Sequence, residues 1–163
     1  MLFKITHRTP IGLLYLVSSE DVLIGAGFRS FADLFERMDP QDSNQEAKNV
    51  KTIPRISDLV EDYFAGDLAA LGGIKVRQPG EKFSQAVWKA MRKIPAGKTL
   101  SYADLAARAG SPTAVRAAGT ACGRNLIAPV VPCHRIIKSG GALGNYGYGL
   151  GTKDWLLRHE GAL

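Results

Sequence analysis

The sequence predicts a mixed α/β fold of the α+β kind: a small N-terminal antiparallel sheet with a helix, then a mainly helical C-terminal part holding a winged-helix-like helix-turn-helix. Three observations predict it. Short apolar runs alternate with turn residues over the first 28 positions, apolar residues recur at helical spacing from Ile56 onward, and two short helices meet at Gly110-Ser111. A chain of 163 residues suits one globular unit or two small ones sharing an interface.

The strands are expected at Phe3 to Thr6, Leu13 to Ser18 and Val22 to Phe28, punctuated by Thr9-Pro10, Ser18-Ser19-Glu20-Asp21 and Gly25/Gly27. Residues 39 to 52 are polar. Ile56, Leu59, Val60, Tyr63 and Phe64 then form one helical stripe that Gly66 ends. Gly72, Gly73, Pro79 and Gly80 mark a boundary, dividing residues 1–80 from residues 81–163. Beyond it, Phe83, Val87, Trp88 and Met91 make an amphipathic helix closed by Pro95 and Gly97, with Trp88 in the core. Ser101 to Asp104 resembles a capping box that opens a helix reaching about Ala109 and stopping at Gly110. Ser111 is expected to cap the next helix, with Pro112 in its first position, where a missing N–H costs nothing. The second helix is rich in Ala and Gly and carries Arg116 and Arg124, which favours DNA over an ordinary core hairpin.

With 45% hydrophobic and 22% charged residues, the composition excludes a disordered chain and a coiled coil. The longest apolar runs, such as Leu13 to Val17, fall far short of the roughly 18 residues that span a bilayer, and Lys4, His7 and Arg8 interrupt any signal-peptide core. A cytoplasmic protein with no membrane partner is expected. Two cysteines, Cys122 and Cys133, are too few for a disulfide scaffold. The net charge of +6 is unevenly spread: residues 1–80 carry nine Lys/Arg against eleven Asp/Glu, and residues 81–163 carry twelve against four. The basic half points to a polyanion, most often nucleic acid; a generally basic soluble surface is the alternative.

Val130-Val131-Pro132-Cys133-His134-Arg135-Ile136-Ile137 concentrates the chemistry. A thiol with its usual pKa near 8.5 is only a few per cent thiolate at pH 7, and positive neighbours such as His134 and Arg135 lower that value. Adjacent strand residues face opposite ways, so Cys133 and His134 meet only if the backbone turns, which Pro132 favours. A buried, inert thiol is the competing reading. Cys122, among small residues in a helix, reads as packed, and neither cysteine has metal-ligand spacing, so no metal is expected.

Residues 83 to 161 resemble the C-terminal domain of the 6-O-alkylguanine-DNA alkyltransferases, the methylated-DNA-protein-cysteine methyltransferases. The resemblance rests on ordered motifs: Ile94 to Tyr102, Ser111 to Gly119, Pro132-Cys133-His134-Arg135, Gly144-Asn145-Tyr146-Gly147, and Lys153 to Gly161. It implies a ribonuclease H-like N-terminal domain over residues 1–80, with the DNA-binding and alkyltransferase domain over residues 81–163. It also implies a stoichiometric reaction in which Cys133 takes the alkyl group of 6-O-alkylguanine, with 4-O-alkylthymine as the alternative base, and no cofactor. His134 would take the thiol proton through a water, and Glu160 would orient the imidazole. Tyr102 would protonate the departing guanine, and Asn125 would tie the segment before Cys133 to the recognition helix. Val131, Pro132, Tyr102, Tyr146 and Gly147 would form the base pocket. Arg116 would be the finger that replaces the flipped base in the minor groove of double-stranded DNA. Ser101, Thr113, Ala114, Val115, Ala117, Arg124 and Arg135 would line the DNA surface of a monomer acting at the bacterial nucleoid. Read without the resemblance, Glu160 is a surface carboxylate, Tyr102 half-buried packing, Asn125 a turn former, Gly147 loop glycine and Arg116 a phosphate contact.

Two departures and two rival functions accompany this reading. Many relatives have proline after the asparagine, whereas Asn125 is followed by Leu126, and residues 1–80 hold no cysteine for the zinc module of some adaptive-response relatives. The rivals are a DNA-binding protein without chemistry, against which Cys133 argues, and a cysteine hydrolase, which would turn over repeatedly.

Overall fold

Thr9 and Gly12 set the first turn of the chain. The Thr9 hydroxyl accepts from the Ile11 N–H at 3.1 Å, and Gly12 takes a φ of +109°, a value that L side chains rarely adopt. The turn joins β1 (Leu2–Thr9) to β2 (Gly12–Ser19) in the register Leu2↔Ser19, and β3 (Val22–Gly27) continues the antiparallel meander. All three expected strands are present. The computed structural model describes residues 1–163, and the chain divides into two units: Met1–Pro79 with Leu126–Val130, and Gly80–Asn125 with Val131–Leu163.

In the first unit, α1 (Phe31–Arg37) starts at Ser30, whose hydroxyl accepts from the Asp33 N–H at 3.0 Å. The polar stretch after it is not featureless. It contains α2 (Pro40–Ser43), capped by Asp39, and β4 (Ala47–Asn49), which pairs parallel to β1. Arg77 grips the Asp42 carboxylate of α2 with two hydrogen bonds, 3.0 and 3.2 Å. That long-range partner cannot be read from the local pattern. The expected helical stripe forms α3 (Ser57–Phe64), burying Val60 and Tyr63, and β5 (Lys75–Val76) completes the sheet order β4-β1-β2-β3-β5. Leu126–Val130 folds with this unit: the Ala26 N–H donates to the Leu126 carbonyl at 2.9 Å, and the Ala128 N–H to that of Ala26 at 3.2 Å. Leu126 also donates its N–H to Gln78 Oε1 at 2.8 Å, a bond that a proline in this position could not make.

In the second unit, α4 (Lys82–Met91) buries Trp88, whose indole N–H donates to the Ala121 carbonyl at 2.9 Å. β6 (Leu100–Ser101) pairs parallel with β7 (Ile136–Ile137). α5 (Tyr102–Arg108) starts as expected, with the Ser101 hydroxyl accepting from the Asp104 N–H at 3.1 Å. It closes in a Schellman motif: Ser111 N–H to Ala106 O, Gly110 N–H to Ala107 O, and Gly110 at φ +98°. The next helix, α6 (Val115–Arg124), begins later than expected. Ser111 is not its cap, because Ser111-Pro112-Thr113-Ala114 is spent on a turn closed by the Ala114 N–H on the Ser111 carbonyl at 3.0 Å. α5 and α6 form the helix-turn-helix. α7 (Leu150–His159) buries Lys153, Leu156 and Leu157 on one face, and Glu160 follows as its C-cap. No helix is long and apolar enough to cross a membrane.

Candidate active site

Pro132 creates the turn on which the site depends. With φ −86° and ψ 67° it is the centre of an inverse γ-turn, and the Cys133 N–H donates to the Val131 carbonyl at 2.9 Å. Cys133–Arg135 then form a single 3-10 turn, so consecutive side chains diverge about an axis instead of alternating across a strand. Cys133 stays half-exposed, while His134 is 0% exposed. Val131 and Pro132 are buried. From the end of α6, Asn125 donates its amide to the Val131 carbonyl at 2.7 Å and to Cys133 Sγ at 3.4 Å. A donor aimed at sulfur favours the anionic form of the thiol.

The residues that follow the thiol belong to a buried polar group of three. His134 Nε2 stands 2.9 Å from Glu160 Oε2, and Arg135 donates Nε to Glu160 Oε1 and Nη2 to Glu160 Oε2, both at 2.9 Å. Its Nη1 donates to the Ile94 carbonyl at 2.6 Å. Arg135, expected on the DNA surface, is therefore a buried partner of Glu160 and has no hand free for DNA. Its charge is paired with that carboxylate at 2.9 Å. The Ile94-to-Gly97 motif helps to seat the same carboxylate residue: a Cβ at Gly97, φ +90°, would sit 3.1 Å from the Glu160 carbonyl.

Burial alone would push the Glu160 carboxyl up, but the hydrogen bonds from His134 and Arg135 and the arginine charge hold it well below the usual carboxylate range. Burial pushes the His134 imidazole down, against the pull of Glu160. The state that satisfies both is an ionised Glu160 and a neutral His134 that donates Nε2–H to it. Nδ1 then carries the lone pair, and it is buried with no protein partner. The stability consequence has one sign. Below about pH 6.5 the unfolded imidazole takes a proton that the folded one refuses, so stability falls as pH falls; Glu160 adds to the loss once pH drops below the usual carboxylate range. Melting temperatures measured from pH 7.5 to 5 should decline steadily below pH 6.5, and His134→Asn should flatten that limb. A flat wild-type profile would contradict a neutral His134.

Tyr102 opens α5, half-buried. Burial, with Cys122 and Cys133 as further contributors, raises its phenol pKa, so it remains a proton donor at neutral pH. A Cβ built on Gly144 would lie 3.4 Å from its hydroxyl, which places the phenol against the loop that leads to Tyr146 and Gly147. Tyr146 packs edge-on against Tyr148 at 5.8 Å, and Gly147 is exposed. Burial pushes the Cys122 thiol far up, leaving it protonated and a poor nucleophile. Thr113, Val115, Arg116, Ala117 and Arg124 are exposed on and before α6; Ala114 and Ser101 are half-buried, and the Ser101 hydroxyl is engaged as the α5 cap. Lys153, a residue without a role in the sequence-based expectations, is 0% exposed and donates Nζ to the Ile136 carbonyl at 2.6 Å and the Asn145 carbonyl at 3.3 Å. The signal was present: Lys153, Leu156, Leu157 and Glu160 stand at i, i+3, i+4 and i+7, an inward stripe with two charges on it.

A half-exposed thiol with an amide on its sulfur and a neutral imidazole behind it defines a cysteine-nucleophile protein, here built on a helix-turn-helix scaffold. The family model for the DNA-binding domain of 6-O-methylguanine DNA methyltransferase matches residues 82–162. A methylated-DNA–protein-cysteine methyltransferase of Salmonella typhimurium is 39% identical over 159 residues, covering 95% of this chain and 93% of its own. The crystal structure of the Mycobacterium tuberculosis O6-methylguanine methyltransferase superposes with a TM-score of 0.78 at 34% identity, covering 99% of this chain and 94% of that one. The same enzyme crystallised in complex with DNA gives 0.78 at 33%, covering 99% and 92%. The chain belongs to the methylated-DNA–protein-cysteine methyltransferase family.

Proposed function

We propose that this protein repairs DNA in the cytoplasm, at the nucleoid, by moving the alkyl group of 6-O-alkylguanine onto Cys133, once per molecule. The observation that carries the mechanism is the orphaned Nδ1 of a buried, neutral His134 whose other nitrogen is fixed by Glu160. His134 accepts the thiol proton at Nδ1 through a water, Asn125 steadies the sulfur, and the thiolate attacks the alkyl carbon in line with the departing oxygen. As the S–C bond forms, the C–O electron pair stays with guanine, which takes a proton from Tyr102. Val131, Pro132, Tyr146 and Gly147 enclose the flipped base, with the Gly147 N–H donating to its 6-oxygen in the complex. The product is a thioether, which has no carbonyl for water to attack, so the sulfur is not regenerated. Methylated duplex titrated against protein should give one methyl per chain, found on the Cys133 peptide; product in excess of protein would instead identify a hydrolase.

The DNA surface in this reading is the exposed side of α6, entering the minor groove as a monomer, with Arg116 filling the place of the extruded base. Extrusion costs a few kcal/mol, and losing about 2 kcal/mol of support slows a reaction roughly thirtyfold. Arg116→Ala should therefore slow repair of duplex DNA by at least that factor and leave transfer from the free alkylated base unchanged. An equal proportional loss on both substrates contradicts the wedge role.

A further inference from the structure

Asn125 ends α6 with its side-chain nitrogen shared between two acceptors, the Val131 carbonyl at 2.7 Å and Cys133 Sγ at 3.4 Å. A donor stabilises a thiolate only while it stays in line with the sulfur, and the direction of the Asn125 amide is set by the backbone on either side of it. On the N-terminal side, the Asn125 N–H donates to the Cys122 carbonyl at 3.3 Å. On the C-terminal side, the peptide that joins Asn125 to Leu126 is held by the Leu126 N–H, which donates to Gln78 Oε1 at 2.8 Å. Leu126 and Gln78 are buried, at 2% and 7% exposure, so this N–H needs a protein acceptor. The backbone groups that follow pair with β3: the Leu126 carbonyl accepts from the Ala26 N–H at 2.9 Å, and the Ala128 N–H donates to the Ala26 carbonyl at 3.2 Å.

We propose that Gln78 is a positioning residue for the Cys133 thiolate: by fixing the Asn125–Leu126 peptide it keeps the Asn125 amide on the sulfur. Every link in this path is a bond, from Gln78 to the Leu126 N–H, through the peptide to Asn125, and from the Asn125 amide to Cys133. Asn125 sits at φ −57° and ψ 123°, and freeing the peptide after it lets these angles drift and carries the amide with them. A proline at position 126 would restrain the same torsions covalently, because its ring requires an extended residue before it, as Asn125 already is. It would donate nothing to Gln78. The two restraints are therefore alternatives, and Gln78 matters only while position 126 has an N–H. Gln78 carries no charge. Its replacement by alanine alters neither His134 and Arg135 in the turn of Cys133 nor Tyr102 of α5, Cys122 of α6 and Lys153 of α7, which act on that thiol electrostatically. This inference rests on Cys133 being the reacting thiol.

The test measures alkylation of Cys133 by iodoacetamide in the free protein as a function of pH, following the Cys133 peptide by mass. This requires no DNA, so it succeeds or fails apart from the repair reaction, which the methyl stoichiometry tests separately. Gln78→Ala should move the profile alkaline by about half a pH unit, a roughly threefold loss of rate below the midpoint that vanishes at high pH. The same substitution in a Leu126→Pro background, which has no N–H to hold, should move nothing further. A folded Gln78→Ala protein with an unshifted profile, or an equal shift in both backgrounds, overturns the proposal in favour of a plain structural bond. Wild-type protein gives a second reading that does not depend on any variant folding. Coupling is reciprocal, so a thiolate that gains from the Leu126–Gln78 bond strengthens that bond in turn. Hydrogen exchange at the Leu126 amide should therefore be about threefold faster after Cys133 is methylated with methyl iodide than in unmodified protein above the thiol midpoint, and an unchanged rate also overturns the proposal.

Discussion

Cys133→Ala is expected to abolish alkyl transfer entirely while DNA affinity and its salt dependence stay at the wild-type level. Transfer needs a sulfur that can be anionic, and the chain has only two cysteines. Cys122 is unsuited, since burial in α6 keeps its thiol protonated. Cys133 is half-exposed at the head of a 3-10 turn, with the Asn125 amide on its sulfur. Binding depends on charges elsewhere, because counterion release follows the number of phosphates neutralised and alanine at position 133 removes no cation. The measurement pairs a methyl-transfer assay with duplex binding across salt concentrations. Label appearing on Cys122 in the Cys133→Ala protein would refute a single acceptor, and a parallel loss of binding would show that the turn itself had collapsed.

Glu160→Gln should cost both stability and rate, and the two losses have different origins. Replacing the carboxylate leaves Arg135 buried at 7% exposure without its counter-charge, and breaking such a pair costs about 3–5 kcal/mol. At about 2–4 °C per kcal/mol for a chain of this size, the melting temperature should fall by roughly 10 °C. The rate loss comes through His134, since a neutral amide no longer fixes the tautomer with Nδ1 free or stabilises the imidazolium; the corresponding change in a catalytic triad costs about four orders of magnitude. His134→Ala should lose a comparable factor, and the double variant little more than either alone, because groups acting as a unit lose most of their effect at the first removal. Single-turnover rates measured well below the melting temperature keep the two losses apart. Losses that multiply in the double variant would disprove the relay, and an unchanged melting temperature would show that Arg135 does not depend on Glu160.

Much of this was legible in the sequence because it is local. The three strands, the Ser101 cap with its Gly110 stop, the buried face of α4 and the turn forced by Pro132 are each decided within a few residues by φ restrictions, capping donors and apolar spacing. The ordered motifs also pair His134 with Glu160, 26 residues later, and the two side chains meet at 2.9 Å. Tertiary structure decided what each polar side chain has left to offer once its partners are counted. Arg135 reads from sequence as one more cation in a basic half, yet two hydrogen bonds to Glu160 and one to Ile94 remove it from any surface. Lys153 reads as one more helix lysine, yet it ends on two carbonyls with no carboxylate beside it. Leu126 reads from sequence as an unexpected residue after Asn125, yet its N–H is bonded to Gln78, from 48 residues earlier, a bond that a proline there could not make. Charge in a sequence is a sum over residues, but its effect depends on burial and on the nearest opposite charge, and both of those are set by contacts between segments far apart in the chain.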